Sequence, residues 1–112
     1  METKDLGKTS TGMQANLAAL LSYVLGFITG IIFYVIEKEN KFVRFHAMQS
    51  IIVFGFFFVV GFILAVIPVI GWVLIPIVGI AELILWILLM VKAYKGEMFK
   101  LPIAGDLAEK NA

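Results

Sequence analysis

The stretch IIVFGFFFVVGFILAVIPVIGWVLIPIVGIAELILWILLMV, Ile51 to Val91, decides the fold. It runs for 41 residues with one charge, Glu82, and without Ser, Thr, Asn or Gln. As a single helix it would reach about 61 Å, twice the roughly 30 Å hydrocarbon core of a bilayer. It must fold back, and Pro68, Gly71 and Pro76 are the residues able to break it, because proline lacks the N–H and clashes with the preceding turn. The pattern predicts two spans, 48–67 and 76–94, joined as a helical hairpin. Pro76 then stands at a helix start, where a missing N–H costs nothing; a start nearer Trp72 is the alternative. The apolar turn 68–75 is expected in the interface, with Trp72 at headgroup depth.

Outward from this stretch, Asn16–Ile36 is another run without a charge, about 31 Å long as a helix. In lipid the backbone must bond within its own segment, so the run is expected to be helical and to cross. It exceeds the apolar length of a cleavable signal and no small-residue cleavage site follows, so it reads as an anchor that stays. The fold class is therefore all-α: an integral membrane protein with three transmembrane helices at 16–36, 48–67 and 76–94. A polar tail at 1–15, expected to fray, precedes a membrane domain at 16–94. A short, half-apolar tail at 95–112 is expected to rest on the membrane surface. Asn40 suits the N-cap of a helix beginning at Lys41.

Composition agrees. Of 112 residues 62% are hydrophobic and 15% charged, the net charge is +1, and there is one histidine and no cysteine. A soluble chain of this size could not hide so much apolar surface. The balance also gives no basic excess for nucleic acid, no disulfide framework and no cysteine-ligated metal site. Three spans put the termini on opposite sides. Lys38, Lys41 and Arg44 in the first loop share a side with Lys92, Lys95, Lys100 and Lys110, against Lys4 and Lys8 on the other. The positive-inside rule then predicts a cytoplasmic C-terminus and an outside N-terminus, in the cell membrane.

Several residues stand out chemically. Glu82 lies inside the third span, where a charge costs roughly 2.5–3.5 kcal/mol on insertion scales. It reads either as packing glue bonded to a neighbouring helix or as part of an ion or proton path, with Tyr23 and Thr29 as candidate partners at similar depth. Ala18, Ser22, Gly26 and Gly30 recur every four residues, a small-residue stripe that lets helices approach closely, either within the chain or at a homodimer seam. In Lys41-Phe-Val-Arg-Phe-His-Ala-Met-Gln-Ser50, His46, Gln49 and Ser50 share a helix face. Arg44 points about 160° away from His46, toward lipid phosphates. This cluster caps the bundle or recognises a partner segment or lipid. A lone His lacks the further ligands a metal needs, so no metal and no cofactor is expected. Lys38, Lys41, Lys92 and Lys95 read as headgroup anchors, the latter two by snorkelling. The phenylalanines Phe54, Phe56, Phe57, Phe58 and Phe62 read as packing bulk. Glu37 and Glu39 look like a solvated turn.

The segment Phe42-Val-Arg-Phe-His-Ala-Met-Gln-Ser50, following Glu37-Lys-Glu-Asn40, resembles the signature of a family of small uncharacterised prokaryotic multi-pass membrane proteins. Tyr94-Lys-Gly96 and Leu101-Pro-Ile-Ala-Gly-Asp106 resemble that family's C-terminal pattern. The family is in turn distantly similar to the twenty-kilodalton subunit of the chloroplast inner-envelope protein-import translocon. The resemblance implies a multi-pass helical fold and a link to protein translocation, and it marks Arg44, His46, Ala47 and Gln49.

No Ser/His/Asp pattern, carboxylate pair, P-loop or GxGxxG is present. The sequence therefore predicts a non-enzymatic membrane component that self-associates or binds other membrane proteins, with lipid and not nucleic acid as its surroundings. The alternative is a subunit of an oligomeric channel or transporter using Glu82.

Overall fold

The computed structural model describes residues 6–112 and, among them, contains helices and no strand. The helices are α1 (Ala15–Val24), α2 (Phe27–Ile36), α3 (Lys41–Ala65), α4 (Ile70–Tyr94) and α5 (Ala104–Lys110).

Two of them, α3 and α4, are long and apolar enough to cross a membrane. Each has 25 residues, about 37 Å, and they form the hairpin expected from the 51–91 run. The third of the predicted spans starts earlier than 76: α4 begins at Ile70 and carries Pro76 within it. In an apolar solvent a helical backbone is worth more than the single bond proline removes. The turn is correspondingly short. Val69 takes a left-handed φ of 65°, and Ile70 N–H bonds the Pro68 carbonyl. Gly71 is packed so closely on the Leu64 carbonyl that a Cβ would collide with it. Trp72 Nε1–H reaches back to the Ala65 carbonyl at 3.1 Å, covering an orphan acceptor at the end of α3. At the other end, Asn40 Oδ1 accepts from Val43 N–H at 3.0 Å, so α3 starts at Lys41, as the expected N-cap required, and runs on through the span predicted from 48.

The run 16–36 is the main correction. It is not one helix but two ten-residue helices, broken at Leu25–Gly26, where Gly26 adopts φ 62°. They lie antiparallel. Asn16 Nδ2–H bonds the Tyr94 carbonyl (3.1 Å), and the Trp86 indole N–H bonds the Tyr23 carbonyl (2.7 Å), so α1 rises along the last turns of α4. On the way back, Gly26 faces Phe54, Gly30 faces Ala47–Ile51, and Arg44 bonds the Tyr34 and Glu37 carbonyls. The α1–α2 pair thus enters and leaves at one end of the α3–α4 hairpin and reaches about half its height. Residues 6–10, the 37–40 turn and Tyr94 all meet there, as the bonds of Asn40 Nδ2 to the Leu6 and Lys8 carbonyls show.

Two consequences correct the sequence reading. The N-terminal segment and the C-terminal tail lie at the same end of the molecule, not at opposite ends. Residues 6–14 are also tied down rather than frayed, through Ser10 and Asn40; Lys4 and the rest of 1–5 lie outside the described residues. The small-residue stripe is divided too: Ala18 and Ser22 belong to α1, Gly26 is the break, and Gly30 belongs to α2.

The molecule therefore has a packed basal half and a bare distal arm. Every buried residue of α3 falls between Phe42 and Phe54. From Phe56 to Ile80 the outward residues are large, apolar and exposed, Phe58, Phe62, Trp72 and Ile80 among them.

Candidate functional site

The polar face predicted on α3 is the centre of the basal half. His46, Gln49 and Ser50 are all fully buried. Tyr23, contributed by α1, joins them: its hydroxyl is 2.6 Å from His46 Nδ1 and accepts from Gln49 Nε2–H at 3.1 Å. The other histidine nitrogen, Nε2, stands 2.8 Å from the Glu97 carbonyl. A carbonyl can only accept, which assigns the proton to Nε2 and leaves Nδ1 to accept from Tyr23. Each buried group is satisfied, as burial of polar atoms requires. The His46 ring sits edge-on among Tyr23, Phe42 and Phe45.

The network holds a ligand that belongs to the chain itself. Gln49 donates to the Phe99 carbonyl at 2.9 Å and accepts from the Leu101 amide at 3.0 Å, while His46 takes the Glu97 carbonyl. Three main-chain groups at alternate residues, 97, 99 and 101, are thus read by two side chains on α3. Phe99 and Leu101 pack inward against the core. The C-terminal segment is clamped on α3 before a turn at Ile103 leads into α5, whose end is held by Tyr34 Oη–H on the Asn111 carbonyl. This is why a histidine and a glutamine three residues apart stand beside a Leu-Pro-Ile-Ala-Gly tail in one sequence.

Ser50 Oγ–H donates to the Gly26 carbonyl at 2.9 Å, and Thr29 Oγ1 accepts from Leu25 N–H and donates to the Ser22 carbonyl. Both side chains serve the break between α1 and α2. Ala18 and Ser22 are fully buried, and a Cβ on Gly30 would stand 2.9 Å from the Ala47 carbonyl, so the small residues are used for packing within the chain. Arg44 does not point at lipid phosphates. Its guanidinium caps the end of α2 through the Tyr34 and Glu37 carbonyls at 2.9 and 2.7 Å and lies 4.0 Å over the Tyr34 ring.

Glu37, expected in a solvated turn, is fully buried. Its carboxylate accepts from the amides of Ser10 (2.8 Å), Asn40 (3.0 Å) and Glu39 (3.2 Å). Burial alone would raise its pKa, but the Ser10, Asn40 and Glu39 amides and the Ser10 hydroxyl outweigh that and hold it below the usual carboxylate value. The signal in the sequence was its place three residues before the N-cap Asn40, where a side chain can meet the amides of the turn. Trp86, whose indole caps α1, carried no comparable signal. Lys38, Lys41 and Lys95 are exposed at the basal end. Lys92 pairs with Glu97 at 3.4 Å.

Glu82 stands apart from this network. Tyr23 is engaged with His46 and Gln49, Thr29 with the α1–α2 break, and Glu82 has no hydrogen-bond partner among the described residues. It lines an open cavity of about 660 Å³ directly above the α1–α2 tip, with Gly26, Phe54, Phe58, Gly79 and Trp86.

A pair of long apolar helices over a polar, internally bonded base places the chain among helical membrane proteins. It belongs to the magnetosome magnetite crystal formation protein family, whose pattern matches residues 8–108. It is similar to a UPF0132 membrane protein of Methanocaldococcus jannaschii, 57% identical over 105 residues and 94% of both chains. A UPF0132 membrane protein of Archaeoglobus fulgidus is 54% identical over 98 residues, 88% of this chain and 95% of the relative. A further M. jannaschii relative is 46% identical over 99 residues, 88% of this chain and 71% of the relative. No solved structure matches. The likeness to the chloroplast translocon subunit has no counterpart among these matches.

Proposed function

We propose that the protein is a non-enzymatic component of the cell membrane. On this reading α3 and α4 span the bilayer, the α1–α2 pair enters from the basal side to half depth, and the distal arm docks further copies or other membrane proteins. The observation that supports it most is Glu82. The basal polar side chains are consumed by internal bonds, whereas this carboxyl sits unpaired on the arm beside Gly79, whose Cβ would meet nothing within 4 Å. An unpaired carboxyl in hydrocarbon is costly, and a polar partner on another helix would relieve it. All Lys and Arg among the described residues belong to the basal half, and on the positive-inside rule this supports a cytoplasmic basal end, the end that carries residues 6–10 and the C-terminal tail.

The test is association of labelled copies in mild detergent and in liposomes. Wild type is expected to associate, Glu82→Gln to retain association through its amide, and Glu82→Leu to weaken it. A wild-type chain that stays monomeric in both media, and forms no arm crosslink in its native membrane, sinks the reading. A reporter after Ala112 that proves extracytoplasmic sinks the orientation.

The open cavity at Glu82 supports a second reading, a channel or transporter subunit. Against it, the Gln49–Tyr23–His46 chain closes on a main-chain carbonyl and does not continue to Glu82. Proton or ion flux abolished by Glu82→Gln would favour it. A setting in protein translocation, implied by the translocon resemblance, is one form the assembly could take. The crystal-forming role in the family's description would rest on the same assembly: among the described residues no three His, Cys, Asp or Glu come together to hold a metal ion.

A further inference from the structure

The geometry points to a membrane surface of definite curvature as a partner of this protein: we infer that it is a one-leaflet wedge that prefers bilayers whose convex leaflet contains its basal half.

The inference starts from cross-section. At basal level α3 and α4 are accompanied by α1, α2 and the clamped tail. Beyond Phe54 on α3 and before Glu82 on α4, only those two helices remain. With helices about 10–12 Å across, the base displaces at least two more helix sections than the arm. The molecule is 49 Å long and 28 by 21 Å across, and the added section is confined to the basal half, below Phe54 on α3.

The extra volume lies in hydrocarbon. The outward residues of α1 and α2 include Leu17, Val24, Ile28, Ile32, Val35 and Ile36, all exposed, and no charged residue stands on either helix. Ten residues reach about 15 Å, half of a core of roughly 30 Å. The hairpin therefore fills one leaflet and stops. A helix inserted in one leaflet binds in a curvature-sensitive way, and here the insert is fixed to the spanning helices.

Rigidity completes the argument, because a loose insert would tilt to suit a flat bilayer. Gly30 seats α2 against the Ala47 carbonyl. Ser50 holds the Gly26 break, Arg44 and Trp86 cap the two helix ends, and the Gln49 clamp adds the tail to the same side. The inference rests on the membrane placement proposed above but not on the docking role of the arm.

The chain has no cysteine, so single cysteines can report orientation. The experiment reconstitutes Val66→Cys (distal turn) and Ala112→Cys (basal end) into phosphatidylcholine vesicles of graded diameter. This lipid has no net charge, so the lysines cannot sort the protein. Density per lipid and labelling by an impermeant maleimide are then measured. The expected result is a several-fold higher density on the smallest vesicles, with the excess copies labelled at residue 112 and protected at residue 66. Density independent of diameter, with the two cysteines on opposite sides, overturns the wedge and leaves the docking role standing. Enrichment without orientation bias also overturns it. Labelling of both cysteines from one side overturns the membrane placement as well.

Discussion

The two halves of the α3–α4 hairpin have nearly the same apolar composition and opposite circumstances. In the basal half, residues 41–54 of α3 are surrounded, and the side chains that secure them are Tyr23, His46, Gln49, Ser50, Arg44 and small residues such as Gly30. In the distal arm, Phe56, Phe58, Phe62 and Ile80 face outward. Lipid is as apolar as these side chains, so burying them against protein gains little. What gathers helices is close approach and hydrogen bonding; the bonding side chains occur in the basal half, while Gly55, Gly61 and Gly79 of the arm face open space. Apolar content tells which helices are long enough to cross a membrane; buried polar side chains tell where the chain is packed.

This contrast can be broken most readily at Gln49. Gln49→Leu removes the clamp and leaves the Phe99 carbonyl and Leu101 amide buried without partners. A loss of about 3 kcal/mol or more is expected, read as easier unfolding in detergent and as proteolysis near Gly96–Leu101. An unchanged tail would mean that the clamp does not hold the basal half. Next in size, Gly30→Leu forces a side chain toward the Ala47 carbonyl and should cost about 1–3 kcal/mol by overpacking. If it is silent, α2 is not seated on α3 as described.

Glu37 sharpens the comparison through pH. Its folded pKa is depressed, so its contribution is fully present above the ordinary carboxylate value and is lost as pH falls through the depressed folded value. Amide exchange at residues 6–14 should therefore stay slow at neutral pH and quicken in that acid window. Glu37→Gln should remove the transition; a transition that persists in the variant assigns it elsewhere. The smallest effects belong to the arm. Phe62→Leu and Ile80→Val are exposed swaps and should lie within about 0.5 kcal/mol of wild type in detergent. A larger loss in the native membrane than in detergent would locate a partner on that surface.

Much of this was legible. Helical character, the fold-back between 51 and 91, Asn40 as N-cap and the shared face of His46, Gln49 and Ser50 all follow from length limits and helical spacing. Their purpose was not legible, because the groups that His46 and Gln49 hold are main-chain atoms some fifty residues away at 97–101. Arg44 and Glu37 were misjudged for a related reason: a charged side chain beside a helix end reads as solvent-facing until the orphan carbonyls or amides it satisfies are in view. Pro76 misled as a helix start because a first-turn position loses no hydrogen bond, whereas α4 carries the proline within it.

By itself the sequence determined the solvent of this chain and the secondary structure that solvent permits: uncharged runs in hydrocarbon must bond their own backbone, and helices do so. Only the tertiary structure decided that residues 16–36 turn back at Gly26 instead of forming one helix. A break at Gly26 leaves backbone groups open, and it is tolerable only where Thr29, Ser50 and Trp86 stand ready to bond the groups around it. Hydropathy measures the length of a run; it does not contain the partners that let the run bend.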